Sequence, residues 1–374
     1  MNSKVFLAAA SLIGTIIVAG VFAIPYVVSR SGVLIAFFYF ILLSLVVLLL
    51  HLMYAEVVLR TNGQHQLIGY AKKYLGPQTK IWVLMATVFG TLGSLLVYII
   101  LAGEFFWIVI PGLSYQQGSL LFWLALSLFV LLGIESIAKL ELVMSLAMLL
   151  IFSLIFVYCW PKVHLANYAL FDFNYFFLPF GVLLFSMVGW NTVPDLIAIL
   201  NKKKHLLPVV TVSFLLCVLV YILFGFLVAG VAGPNMGEKV FEALAPYFGP
   251  RAIVLGAILG LLAIATSFVI SANYLKLVLQ YDCRLPKMAA FLLASLIPLA
   301  LFCTGINQFL VVVGIVGAFM GLAEGATIAL VYQKAKQYGE RIPEHFLLVP
   351  NIIIYGVLII LCLGTLVEVL NNLF

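Results

Sequence analysis

Long apolar runs, each closed by a short polar or Pro/Gly-rich segment, fill almost the whole chain. Eleven such runs cover residues 5–28, 33–59, 81–109, 119–137, 140–160, 174–200, 207–231, 251–280, 288–304, 309–333 and 346–370. A helix needs about 20 apolar residues to cross a bilayer core, with a lower limit of about 17. Every run reaches that limit. Inside lipid each backbone N–H and C=O needs an internal partner, so only helices and closed barrels span it. Barrel strands alternate apolar and polar over about ten residues, and no such alternation occurs here. The pattern predicts an all-α polytopic membrane protein of about 11 transmembrane helices, a single transporter-sized domain over 1–374.

Two runs are interrupted. The first contains Gly14-Thr-Ile-Ile-Val-Ala-Gly20-Val-Phe-Ala-Ile-Pro25, with two glycines and a proline where a plain anchor would carry leucine. Glycine weakens a helix and proline cannot donate its backbone bond. The sixth run contains Phe185-Ser-Met-Val-Gly189-Trp-Asn-Thr-Val-Pro194-Asp195, and Gly189 to Pro194 repeats the spacing of Gly20 to Pro25. Interrupted segments in corresponding positions of two halves point to a transporter site built from unwound backbone. The competing reading is close helix packing, for which glycine is also used. Spans 1–5 (residues 1–160) and 6–10 (residues 174–333) fill similar lengths, with 346–370 as an addition. Five spans per half turn the second half over, giving a five-plus-five inverted repeat with discontinuous helices 1 and 6.

Charge sets the orientation. Only 9% of residues are charged and 66% are hydrophobic, against about a quarter charged in soluble domains. With the N-terminus inside, 15 of the 19 basic residues fall in inner loops and only Arg30, Lys162, Lys239 and Arg251 fall outside. That asymmetry predicts a cytoplasmic N-terminus, an outside C-terminus and a plasma (inner) membrane location. The first run lacks a small-residue cleavage site and reads as a retained span. The net charge of +6 follows from the loop bias and does not imply nucleic acid. Five scattered cysteines and five isolated histidines offer no disulfide framework, metal spacing, nucleophile elbow or P-loop. No cofactor is expected, and transport must be secondary or facilitated.

A broken helix presents unpaired N–H groups at one edge and unpaired carbonyls at the other. An amino acid zwitterion matches both. Backbone around Ala19, Gly20 and Val21 suits its carboxylate, and carbonyls around Phe185, Ser186 and Met187 suit its ammonium. Tyr98, Phe185 and Trp190 fall where they could shape a side-chain pocket. Ala263-Ile-Ala-Thr266-Ser267 places adjacent hydroxyls in an apolar helix; with Gly14 and Ile17 carbonyls they could bind Na⁺, or they could serve helix packing. Glu324 and Glu104 are the deepest carboxylates. Glu324, nearer mid-membrane, is a candidate for a protonatable group in the pathway or for a structural partner. Glu56 and Asp195 lie near inner ends, as gate or anchor residues. Loop 61–80 predicts a short interfacial helix. In loop 232–250, residues 238–247 read either as a short amphipathic helix over the outer vestibule or as an ordinary loop.

These motifs resemble the amino acid/polyamine/organocation superfamily, most of all the amino acid permease branch holding bacterial tyrosine and tryptophan permeases and neutral amino acid transporters. The resemblance implies alternating access and amino acid uptake driven by H⁺ or Na⁺. It implies substrate contacts at Gly14, Thr15, Ala19, Gly20, Phe185, Ser186 and Gly189, and a sodium-type position at Gly14, Ile17, Ala263, Thr266 and Ser267. Val18 stands where many relatives carry a further glycine.

The expected function is therefore cation-coupled symport of a neutral amino acid, bulky apolar or aromatic in type. An uncoupled facilitator or exchanger on the same fold is the alternative. A membrane-embedded enzyme would need convergent acids, bases or metal ligands, and a channel would lack paired broken helices. The partners are the small-molecule substrate and the bilayer; a monomer suffices for all of this chemistry.

Overall fold

The computed structural model describes residues 3–63, 65–132, 150, 152–200, 202–234 and 236–373. The described residues are helical with no strand. The first span is α1 (Ser3–Ile16), a 3₁₀ turn (Gly20–Phe22) and α2 (Ile24–Ser31). Then come α3 (Val33–Arg60), the short α4 (Leu67–Leu75), α5 (Thr79–Val109) and α6 (Tyr115–Leu132). The sixth span is α7 (Leu178–Met187), a 3₁₀ turn (Trp190–Thr192) and α8 (Val193–Ile199). After it come α9 (Leu206–Ala232), α10 (Val240–Phe248), α11 (Pro250–Tyr281), α12 (Lys287–Cys303), α13 (Phe309–Tyr338) and α14 (Asn351–Leu373). Both predicted interruptions are present. Residues 152–159 are helical and fall in the fifth predicted span; most of the rest of that span, with Lys139 before it, lies outside the described residues.

The helices are apolar on all sides because they meet two different apolar environments. On α3, Phe40, Leu43, Val47 and Leu50 are buried, whereas Phe37, Phe38, Ile41 and Leu45 are exposed on the opposite face. A helix apolar all round is the mark of a core or membrane span. The broken first span packs on α9, and α7 packs on α3 and α13. At the α7–α13 crossing a Cβ on Gly181 would fall 2.8 Å from Gly314 Cα, so the two helices meet backbone to backbone.

Ion pairs fasten the loops. Glu56 is fully buried, pairs with Arg60 at 2.7 Å and accepts the Leu347 N–H at 2.7 Å. It ties the end of α3 to the segment entering α14, an anchor rather than a gate. The short helix predicted in loop 61–80 is α4. The helix in loop 232–250 begins at Val240 rather than at 238, because Lys239 is extended.

Candidate binding site at two broken helices

The breaks lie against each other. A Cβ on Gly20 would fall 2.7 Å from Ser186 Cα, closer than real atoms come. A Cβ on Gly189 would overlap the Ile16 side chain in return. Each glycine is required by the other half-helix. Thr192 after the second break donates to the Thr15 hydroxyl at 2.9 Å, and Thr15 donates to Ser11 O at 2.9 Å. Pro25 and Pro194 both fall in the first turn of the restarting helix, where the missing N–H costs nothing.

Unwinding frees backbone groups. At the first break the Val18 N–H turns back to Ile16 O at 3.0 Å, and so leaves the Gly14 carbonyl. Among the described residues, the N–H groups of Ala19 and Gly20 have no acceptor. At the second break Val188 donates to Leu184 O, and the Phe185 carbonyl accepts nothing among the described residues. One buried side chain serves both breaks: the Tyr221 hydroxyl lies 2.7 Å from Ile16 O and 2.8 Å from Ser186 O. With one proton it donates to one carbonyl at a time or is shared between them.

A cavity of about 200 Å³ sits at this junction. Thr15, Ala19 and Gly20 line it from the first span and Phe185, Asn191 and Thr192 from the sixth. Thr91, Ser94 and Tyr98 of α5 and Ile270, Ser271 and Tyr274 of α11 close its sides. It reaches Gln66 and the exposed Asp195 on the face that carries the N-terminus. The Gln66 side-chain amide donates to Asp195 at 3.1 Å there. Among the described residues Asp195 is the charged residue of the lining, and the other side chains are neutral.

The opposite side is shut. Phe22, Phe105 and Phe241 are buried with ring centres 5.1 to 5.7 Å apart. They come from the first break, α5 and α10. Gly256 and Gly260 of α11 leave room for Phe241 and Phe105: a Cβ there would fall 2.6 and 2.7 Å from their rings. The helix of loop 232–250 thus lies over the closed side of the cavity and packs Phe241 against Phe22 and Phe105.

Of the residues singled out in the sequence, Thr15, Ala19, Gly20, Tyr98 and Phe185 line the cavity. Ser186 and Gly189 form the contact between the breaks behind that lining, and Gly14 is not in it. Trp190 is fully buried away from the cavity, and its indole N–H donates to Glu324 at 2.7 Å. Thr87 also donates to Glu324, at 3.3 Å. Glu324 therefore holds the second break in place. Glu104 lies beyond the phenylalanines, lining a small crevice with Glu238, Lys239 and Glu242. Thr266 and Ser267 both donate to the Ala263 carbonyl, at 2.9 and 3.1 Å; with Gly14 and Ile17 they are not in the cavity lining. Sequence reading passed over Thr91 and Ser94, although with Tyr98 they recur at three and four residues, one helix face. Ser271 and Tyr274 carry the same signal on α11. Tyr221 shares a long apolar run with Thr211 and Ser213 and carried none.

Two discontinuous spans around a central cavity, open on one face and closed on the other, define a membrane transporter. A family model for tryptophan/tyrosine permeases matches residues 1–369. The chain belongs to the tryptophan/tyrosine permease family. It is a transporter of amino acids, embedded in the membrane, rather than an enzyme. No curated protein matches it in sequence. Among solved structures, the crystal structure of MhsT in complex with L-phenylalanine shares its fold, with a TM-score of 0.69 at 17% identity. The similarity covers 100% of this chain and 98% of that one.

Proposed function

We propose that this permease carries a neutral amino acid with a bulky apolar or aromatic side chain, in symport with a cation. The observation that carries this reading is the pairing, in one cavity, of acceptor-free N–H groups at Ala19 and Gly20 with the donor-free carbonyl at Phe185. The first pair suits a carboxylate and the second an ammonium. Tyr98, Phe185, Val188, Ile270 and Met320 supply an apolar and aromatic wall. Among the described residues no basic side chain lines the cavity to pair with an acidic one, which disfavours aspartate and glutamate as cargo. The phenylalanine complex of a protein with the same fold agrees with this size and polarity.

Two cations remain in play. Na⁺ would use the oxygens of Gly14, Ile17, Ala263, Thr266 and Ser267; both hydroxyls keep acceptor lone pairs after donating to Ala263. A proton would use Glu324, whose buried carboxylate is bonded to the second break, or Glu104 at the closed side. Uncoupled facilitation or exchange is the second reading. The bonds of Thr266 and Ser267 within their own helix favour it, since they satisfy both hydroxyls without an ion. The basic-loop bias supports a cytoplasmic N-terminus in the cell membrane, which makes the open face cytoplasmic and this conformation inward-facing. The repeat units then span 1–160 and 174–333, with 346–370 appended, and a monomer is sufficient.

Purified protein in liposomes, given Na⁺ and H⁺ gradients separately, tests this. Concentrative uptake of labelled phenylalanine, tryptophan or tyrosine under one gradient is the expected result and names the ion. Equilibrating flux indifferent to both gradients selects the facilitator. Transport of glutamate in preference to all neutral amino acids overturns the substrate reading.

A further inference from the structure

A second cavity, of about 220 Å³, lies on the N-terminal face, separate from the central one. Lys203 and Arg341 line it, with Thr61, Asn62, Gly63 and Tyr70. Its inner wall is Val58 of α3 with Pro194 and Ile197 of α8, the half-helix that restarts after the second break. At about 30 Å³ per water, the space holds about seven waters, or one phosphate group with several.

Its charge is unbalanced. Lys203 has no carboxylate within ion-pair distance among the described residues. Arg341 meets Glu344 only at 3.4 Å, on the solvent side. The nearby carboxylates are already committed. Glu56 pairs with Arg60, and Glu340 pairs with Lys73 at 2.7 Å and accepts the Asn62 N–H at 2.8 Å. Lys73 and that N–H hold the Glu340 carboxyl below its ordinary range. The rim is rigid, because the Glu340 and Arg341 N–H groups both donate to Arg60 O, at 2.9 and 3.0 Å. Tyr70 is fully buried and its hydroxyl has no hydrogen-bond partner among the described residues, which is costly unless something supplies one.

We propose that this cavity binds a phosphate-bearing anion, held by Lys203 and Arg341 against the restarting half of the sixth span. An arginine fork and a lysine point charge are the usual pair for a phosphate group. The cavity lies level with the ends of α3 and α8, where lipid phosphates sit, and basic pockets between spans on this side take anionic headgroups. A free soluble phosphate would present the same chemistry. Because Pro194 and Ile197 form the wall, an occupant braces α8 while the central cavity is open to this face.

Calorimetric titration of the purified protein in nonionic detergent tests the site, at constant ionic strength. The probes are short-chain phosphatidylglycerol, short-chain phosphatidylcholine and sodium phosphate. Saturable binding of phosphatidylglycerol but not phosphate assigns a lipid headgroup; competition between the two, or binding of phosphate alone, assigns the phosphate group itself. In either case Lys203→Gln with Arg341→Gln weakens binding about tenfold or more, as loss of charge-assisted bonds requires, and Lys203→Arg retains it. Absence of saturable binding of either anion overturns the proposal, as does a folded double variant that binds like the wild type. Should the double variant not fold, Lys203→Gln alone decides, and a change under about threefold overturns the site.

Discussion

The first and sixth spans break with the same spacing of glycine and proline, yet they break differently. The first bends by 54° between its halves. The sixth continues as one apolar span of 22 residues, Leu178–Ile199. The first unwinds over residues 17–19, and its freed N–H groups point to a cavity. The second unwinds at Val188 and Gly189 only, and protein groups hold it: Tyr221 on Ser186 O, Glu324 on Trp190, Ile16 against Gly189. The first break leaves two N–H groups open at the cavity, whereas the second leaves the Phe185 carbonyl open and is otherwise held by its neighbours. The comparison teaches that a broken helix in a membrane is functional where its polar groups are left open and structural where neighbours take them.

The largest effect belongs to the point where the breaks touch. Gly20→Leu must displace Ser186, so uptake in liposomes is expected to fall to background while the inserted amount is unchanged; near-normal uptake would sever the link between this contact and transport. Overpacking of this kind costs about 1–3 kcal/mol of stability. Next comes the support of the second break. Trp190→Phe leaves the buried Glu324 carboxylate without its closest donor and is expected to cost about 1.5–3 kcal/mol, read as a lowered Tm of the purified protein. An unchanged Tm would mean that Glu324 does not hold this break.

Tyr221→Phe removes the hydroxyl shared by the breaks, at an expected cost of about 1–2 kcal/mol. Hydrogen exchange sharpens the comparison here. Faster exchange is expected around both Ile16–Gly20 and Met187–Trp190; a change confined to one would show that the hydroxyl serves that break alone. The smallest effect is that of Thr192→Val, which deletes one hydroxyl bond to Thr15 and should cost about 0.5–1.5 kcal/mol. Because both residues line the cavity, the KM for uptake should rise while inserted protein stays constant.

Much of this was legible from residue order. Eleven apolar runs, the Gly-to-Pro echo and the asymmetry of basic loops require no tertiary information, because the bilayer imposes length, period and charge rules on each segment separately. The places of Thr15, Ala19, Gly20 and Phe185 in the cavity lining were accessible for the same reason, since unwound backbone is announced by local glycine and proline. Trp190 was not. Its place beside the break suggested a substrate wall, but the ring turns away from the cavity to Glu324, 134 residues later. Tyr221 bridges carbonyls 205 and 35 residues away, and no local pattern encodes such a reach. Thr91, Ser94, Ser271 and Tyr274 lie between these cases: their helical spacing is local, but which face turns inward is not.

The sequence by itself therefore determined that the chain is a helical membrane protein with two interrupted spans, because membrane insertion and helix breaking depend on residue type at short range. Only the tertiary structure decided which backbone groups of each break open to the cavity, which side the Phe22, Phe105 and Phe241 rings close, and which polar residues anchor rather than bind. Those outcomes depend on where a hydroxyl, an indole or a glycine from a distant span comes to rest, and side-chain partners that far apart in the chain are chosen by packing.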